Sequence, residues 1–128
     1  MENRELMYLA ENAKQKSYSP YSKFKVGAAL LTKDGKIYVG ANIENSSYPL
    51  TVCAERVAFF KAISEGEKEF EKIAISGSSD DFCFPCGACR QVMSEFCGKD
   101  FVIILENGKE IKRFTLGELL PYSFKLDK

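Results

Sequence analysis

Three cysteines and a glutamate have the types and spacing that metal-assisted hydrolysis needs: Cys53-Ala54-Glu55, and further on Pro85-Cys86-Gly87-Ala88-Cys89. Thiolates hold zinc at about 2.3 Å, and a catalytic site keeps three protein ligands so that water can take the fourth position. Cys53, Cys86 and Cys89 supply three ligands for one Zn2+ per chain. Cys86 and Cys89 stand at i and i+3 on the first turn of one expected helix, and Cys53 begins another, so two helix N-termini point at one metal. Their positive dipole ends and free N–H groups favour thiolate, the form that ligates. Glu55 follows Cys53 by two residues, near enough to approach a metal-held water as a proton carrier without being a ligand. A lone glutamate there would read as a solvated residue favoured by the helix dipole; the neighbouring metal motif turns the reading toward chemistry.

Two details qualify the ligand set. Cys83-x2-Cys86-x2-Cys89 could start an iron–sulfur run with Cys97 as its fourth member. The proline precedes the middle cysteine instead of following the last, and Cys-Ala-Glu would be left unexplained, so Cys83 and Cys97 read more simply as buried free thiols. The chain has no histidine. Zinc with three thiolates carries a net negative charge, which opposes ionisation of a bound water. Arg56 can offset it by donating to a thiolate sulfur; a surface salt bridge is the plainer alternative.

The elements that must position these residues follow from hydrophobic periodicity. Leu6, Leu9, Ala10 and Ala13 give an amphipathic helix over about Asn3 to Lys16, broken near Pro20. Lys25 to Thr32 reads as a strand, and Asp34-Gly35 as a type I′ hairpin turn into Ile37-Tyr38-Val39. A polar loop from Asn42 to Pro49 precedes a helix over about Cys53 to Ser64, closed by Gly66. A short strand, Ile73 to Ser76, leads to the helix from Cys86 to about Phe96, ended by Gly98. Phe101 to Leu105 suits a strand covered on both faces, Asn107-Gly108 turns into another through Phe114, and Thr115-x-x-Glu118 caps a last short helix. The order α-β-β-α-β-α-β-β-α implies an α/β fold, a three-layer α-β-α sandwich around a mixed five-stranded sheet.

Size and charge bound the function. The 128 residues, 45% hydrophobic and 28% charged, suit a single domain spanning residues 1–128, with no second catalytic domain. Eighteen basic and eighteen acidic residues balance, and no basic run marks a nucleic-acid surface, which favours a small-molecule substrate. No apolar stretch approaches membrane-spanning length, and the N-terminal residues lack a signal core, so a cytoplasmic location is expected.

Cys-Ala-Glu followed by Pro-Cys-x-x-Cys resembles the bipartite signature of zinc nucleoside and nucleobase deaminases, in which cysteine can stand for the histidine ligand. With Pro20-Tyr21-Ser22-Lys23-Phe24-Lys25-Val26-Gly27-Ala28-Ala29, Asn42-Ile43-Glu44-Asn45 and Pro85-Cys86-Gly87-Ala88-Cys89-Arg90-Gln91, the chain resembles the small homotetrameric cytidine deaminases over nearly its whole length. The resemblance implies deamination of cytidine and deoxycytidine, water attacking C4 while Glu55 carries protons to N3 and to the departing ammonia. It also implies that Phe24 packs on the pyrimidine, Asn42 and Glu44 hold ribose hydroxyls, and the Ala54 backbone with Glu55 reads the base edge. Tyr48 and Phe124 are implied to reach a neighbouring subunit's site. From the residues alone, Asn42-x-Glu44 is equally a polar turn, and Phe24, Tyr48 and Phe124 read more readily as core. Two alternatives stay open: a deaminase of a cytosine-containing nucleoside antibiotic, and a non-catalytic structural zinc module with four closed ligands.

Overall fold

Side chains alternate across a strand, and in three central strands both faces are apolar, which forces helices onto both sides of one sheet. The computed structural model, which describes residues 1–128, shows this arrangement. Strands β1 (Val26–Thr32), β2 (Ile37–Ala41), β3 (Phe70–Gly77), β4 (Val102–Glu106) and β5 (Ile111–Thr115) lie in the order β2-β1-β3-β4-β5. β1 runs antiparallel to β2 and β3, β3 parallel to β4, and β4 antiparallel to β5. Helix α1 (Asn3–Ala13) covers one face, where Leu6, Met7 and Ala10 meet Ala29, Leu31, Ala74 and Ile104. Helices α2 (Ala54–Ser64) and α3 (Gly87–Phe96) belong to the opposite layer, where Ala58, Phe59, Ala62 and Met93 join Ala28, Leu30, Ile73, Ile75, Ile103 and Leu105. The mixed five-stranded sheet between helical layers is the expected architecture.

Two glycines set how closely the helices approach. A Cβ on Gly27 would lie 2.1 Å from the Ala10 carbonyl oxygen of α1, and one on Gly40 would lie 2.5 Å from the Ala54 carbonyl oxygen of α2. These strand positions have room only for hydrogen, so backbone packs on backbone. Lys72, buried on β3, ties down the start of α1 by donating through Nζ to the Met1 carbonyl at 2.6 Å and to Asn3 Oδ1 at 2.8 Å.

Local chemistry ends the elements, with some departures from the sequence reading. α2 closes in a Schellman motif: Gly66, at φ 99°, donates to Ile63 and Glu67 donates to Ala62. Thr115 and Glu118 form the expected capping box of α4 (Leu116–Leu119). α1 stops at Ala13 and continues as a 3-10 turn through Lys16. β3 is longer than the apolar run because Phe70 and Gly77 also pair with β1. The β1–β2 turn is not type I′, since Gly35 alone has positive φ and its N–H bonds Thr32 O at 3.1 Å, a type I turn with a glycine following. After β4 the positive-φ glycine stands elsewhere: Gly108 is the first residue of the turn between Asn107 and Glu110, where Asn107 N–H donates to Glu110 O at 3.2 Å and Asn107 Oδ1 accepts from the Lys109 and Glu110 amides. α3 ends without a left-handed glycine, Cys97 being extended at φ −129°. No helix is long and apolar enough to cross a membrane.

Candidate metal centre and substrate pocket

Cys53 and Cys86 are not inside their helices, as the sequence reading had them, but at the N-cap positions of α2 and α3, both extended, and Cys89 sits on the first turn of α3. The three Sγ atoms converge within 4.8 Å of one another. Cys53 and Cys86 sulfurs are 3.7 Å apart, and those of Cys86 and Cys89 3.5 Å. Tetrahedral ligands at zinc–sulfur bond length lie about 3.8 Å apart, so the sulfur set fits zinc. Cys83 and Cys97 lie outside the cluster. Cys97 is at the far end of α3, so the iron–sulfur arrangement is not assembled. Burial pushes these two thiols up, to about 11 for Cys83 and about 12 for Cys97.

Electrostatics gather negative charge on Cys53. A hydrogen bond from Cys89, with Arg56 and Cys86 adding to it against the opposing effect of burial, pulls Cys53 down to about 5. The same bond, together with burial, pushes Cys89 up. Arg56 Nη2 donates to Cys53 Sγ at 3.4 Å, while its Nε is buried without a partner. Glu55, 4% exposed on the first turn of α2, is pushed up to about 7, chiefly by burial. A carboxyl titrating near neutrality can both take and return a proton.

Beside Cys53 runs the Asn42–Glu44 segment. Ile43 exchanges two backbone hydrogen bonds with Val52, at 2.9 Å each, and this fixes the segment against the residue preceding Cys53. On the other side, Tyr18 donates to Asn42 O and accepts from Glu44 N–H. The Asn42 amide is largely engaged: Oδ1 accepts from Ser17 Oγ and from Val26 N–H, and Nδ2 donates to Phe24 O. That leaves one N–H for a ligand. Glu44 Oε1 accepts from the Tyr21 and Ser22 amides, and Oε2 from the Ser22 hydroxyl, which with its neighbours holds the carboxyl below its ordinary range.

Phe24 packs partly buried on the edge of the larger core. Ala54 is fully buried, and its amide, first in α2, has no partner within the helix. Tyr48 and Phe124 are 76% and 68% exposed and so are not packed into the pocket of their own chain. Tyr48 lines an open cleft of about 400 Å³ with Tyr21, Ser22, Glu44, Asn45 and Thr51, and the Phe124 carbonyl accepts from Gln91 Nε2 at 3.4 Å.

Three participants escaped the sequence reading. Arg90 donates through Nε to Pro85 O and through Nη1 to Leu119 O, both at 2.7 Å, bracing the turn that presents Cys86. Its place in Pro-Cys-Gly-Ala-Cys-Arg was the available signal. Gly77 has room for no side chain, because a Cβ there would lie 2.9 Å from Cys83 Cβ and 3.2 Å from the Phe24 ring. Ser22 contacts both Glu44 and the Phe24 amide, and its place in Pro20-Tyr21-Ser22-Lys23-Phe24 was the available signal.

Known proteins were compared with this geometry. The model of the cytidine and deoxycytidylate deaminase zinc-binding region matches residues 1–105. A cytidine deaminase of Sporosarcina psychrophila is 48% identical over 125 residues, which is 97% of this chain and 92% of that protein. A crystal structure of cytidine deaminase from Burkholderia pseudomallei superposes with a TM-score of 0.92 at 45% identity, covering 97% of this chain and all of that one. A blasticidin-S deaminase of Bacillus cereus is 38% identical over 111 residues, 80% of this chain and 79% of that protein. With three cysteine sulfurs placed to hold a metal at two helix starts and a buried glutamate on the first turn of one of them, the chain belongs to the cytidine and deoxycytidylate deaminase zinc-binding family.

Proposed function

We propose that this chain, acting as one catalytic domain over residues 1–128, deaminates cytidine and deoxycytidine hydrolytically to uridine and deoxyuridine and releases ammonia. The carrying observation is the convergence of Cys53, Cys86 and Cys89 sulfurs next to buried Glu55. Zinc held there supplies a water made acidic enough to attack at neutral pH. Glu55 takes the first proton of the water that adds to C4 and delivers it to N3, then takes the second proton from the new C4 hydroxyl and passes it to the amine, so that the C4–N bond breaks and ammonia leaves. Arg56 draws charge from the Cys53 thiolate. The Ala54 amide and Glu55 read the base edge, and Phe24 packs on the pyrimidine. Asn42, with one free N–H, and Glu44, an acceptor, suit a sugar hydroxyl that both accepts and donates.

Exposure of Tyr48 and Phe124 supports a homotetramer in which these side chains complete a neighbour's pocket, and the expected location is the cytoplasm. The test is an absorbance assay of purified protein on cytidine, deoxycytidine, cytosine and CMP, with metal analysis of the same sample. Turnover of cytidine and deoxycytidine with about one zinc per chain is expected. Turnover of a cytosine-containing nucleoside antibiotic but of neither nucleoside would replace this reading. A fully active monomer in sedimentation would remove Tyr48 and Phe124 from the site.

A further inference from the structure

The segment joining Pro20 to Lys25 has no strand or helix to shape it, yet it presents Phe24. Lys23 N–H closes a turn on Ser19 O at 3.1 Å, and the rest of the conformation is imposed from outside. Glu44 Oε1 gathers the Tyr21 and Ser22 amides, at 2.9 and 3.1 Å, and Oε2 accepts the Ser22 hydroxyl proton. The same Ser22 oxygen accepts the Phe24 N–H at 3.0 Å. Between the two stands Lys23 at φ 61°, a left-handed conformation that a side-chain-bearing residue holds only when its surroundings enforce it. On the far side of the same residue the Phe24 carbonyl accepts from Asn42 Nδ2 at 2.9 Å. Both polar groups of the Phe24 backbone thus end on the side chains assigned above to the sugar, one directly and one through Ser22.

We propose that Ser22 is a positioning residue that couples sugar recognition to base packing, its hydroxyl passing the location of the Glu44 carboxylate to the Phe24 ring. The inference rests on the roles proposed above for Glu44 and Phe24. Ser22 touches neither base nor sugar in this scheme. It uses its one proton on Glu44 and one lone pair on Phe24, so alanine breaks both connections at once while threonine keeps them. Removing it releases the Phe24 N–H, so that Phe24 can move although the Tyr21 and Ser22 amides stay on Glu44 and Lys23 N–H stays on Ser19 O, whatever sugar the substrate carries.

The test compares wild type, Ser22→Ala, Ser22→Thr, Phe24→Ala and the Ser22→Ala/Phe24→Ala double variant on cytidine and on 2′,3′-dideoxycytidine, with a melting curve for each protein. Ser22→Ala is expected to raise KM about tenfold on both substrates, the loss of one or two hydrogen bonds, with kcat within about twofold of wild type. Threonine is expected to restore KM, and in the Phe24→Ala background the serine change is expected to add nothing. An effect on cytidine alone would reduce Ser22 to a support for the Glu44 sugar contact and overturn the coupling. Additive losses in the cycle, or a lowered melting point with KM unchanged, would overturn it too. If wild type turned over neither nucleoside, the functional reading would fail and this inference with it; an active wild type matched by Ser22→Ala would sink the inference alone.

Discussion

On the α1 face of the sheet a helix lies with its side against the strands, and Leu6, Met7 and Ala10 close onto Ala29, Leu31, Ala74 and Ile104. On the opposite face the larger apolar core continues up to two helix ends, where Cys53, Cys86, Cys89 and Glu55 take the place that hydrocarbon would otherwise fill. Side-on packing buries area and leaves no free backbone groups. End-on convergence leaves unpaired amides and a positive field, which is what thiolates and a proton carrier require. One layer therefore serves adhesion and the other combines adhesion with chemistry, and the division can be tested.

The widest separation is expected between Glu55→Gln and Met7→Ala. The first should lower kcat by about 10²–10⁴-fold while zinc content stays near one per chain. The second should cost about 2–5 kcal/mol of stability and leave kcat/KM of the folded fraction unchanged. Denaturant melts, metal analysis and steady-state rates on both proteins check this. Equal loss of turnover in folded Met7→Ala would show that the faces are not separable.

Next in size comes a paired substitution at the two close approaches. Gly27→Ala and Gly40→Ala each drive a methyl into helix backbone, and each should destabilise by roughly 1–3 kcal/mol. Only Gly40→Ala displaces α2, which carries Glu55 and follows Cys53, so it alone should weaken zinc retention against a chelator. Equal retention in both variants would break the comparison.

Smaller still is the charge balance at Cys53. Arg56→Gln should reduce zinc affinity and kcat/KM by about tenfold, most sharply at low pH, where protons compete for the thiolates. Cys53→His removes one negative charge from the ligand set and should recover part of that loss in the double variant. Strictly additive losses would mean that Arg56 does not compensate thiolate charge.

The smallest effect belongs to the α1 face. Burial, and then hydrogen bonding to Glu106, raise the Glu11 carboxyl above its ordinary 4.5. Stability from its protonated form is complete below that value and is lost as pH rises through the folded value. Glu11→Gln imitates the protonated form, so it should raise the melting temperature slightly at pH 7 and not at pH 4. A larger gain at pH 4 would reverse the sign and remove the argument.

Much of this was legible in the chain. The short apolar runs at Val26–Thr32 and Val102–Glu106 marked the buried strands, and Cys-Ala-Glu with Pro-Cys-x-x-Cys marked the metal ligands, because apolar runs and short-range spacing are properties of sequence. The turn after β1 was misread because Asp-Gly also suits a longer loop, and register, a property of two strands, decides between them. Glycines 27 and 40 were passed over as ordinary strand residues, although glycine within a strand is itself a signal of close backbone approach. The engagement of Asn42 and Glu44 with the Phe24 loop depends on contacts about twenty residues apart, which no local pattern encodes.

Cys53 and Cys86 occupy N-cap positions, and neither side chain makes a capping hydrogen bond. Serine or aspartate there would lock the first turn locally; cysteine leaves that task to the metal. In a cell starved of zinc, opening is expected to begin at the first turns of α2 and α3, the regions where amide exchange would quicken first. The lifetime of the folded chain then becomes a reporter of metal supply, since proteases meet the opened turns before the rest of the fold gives way.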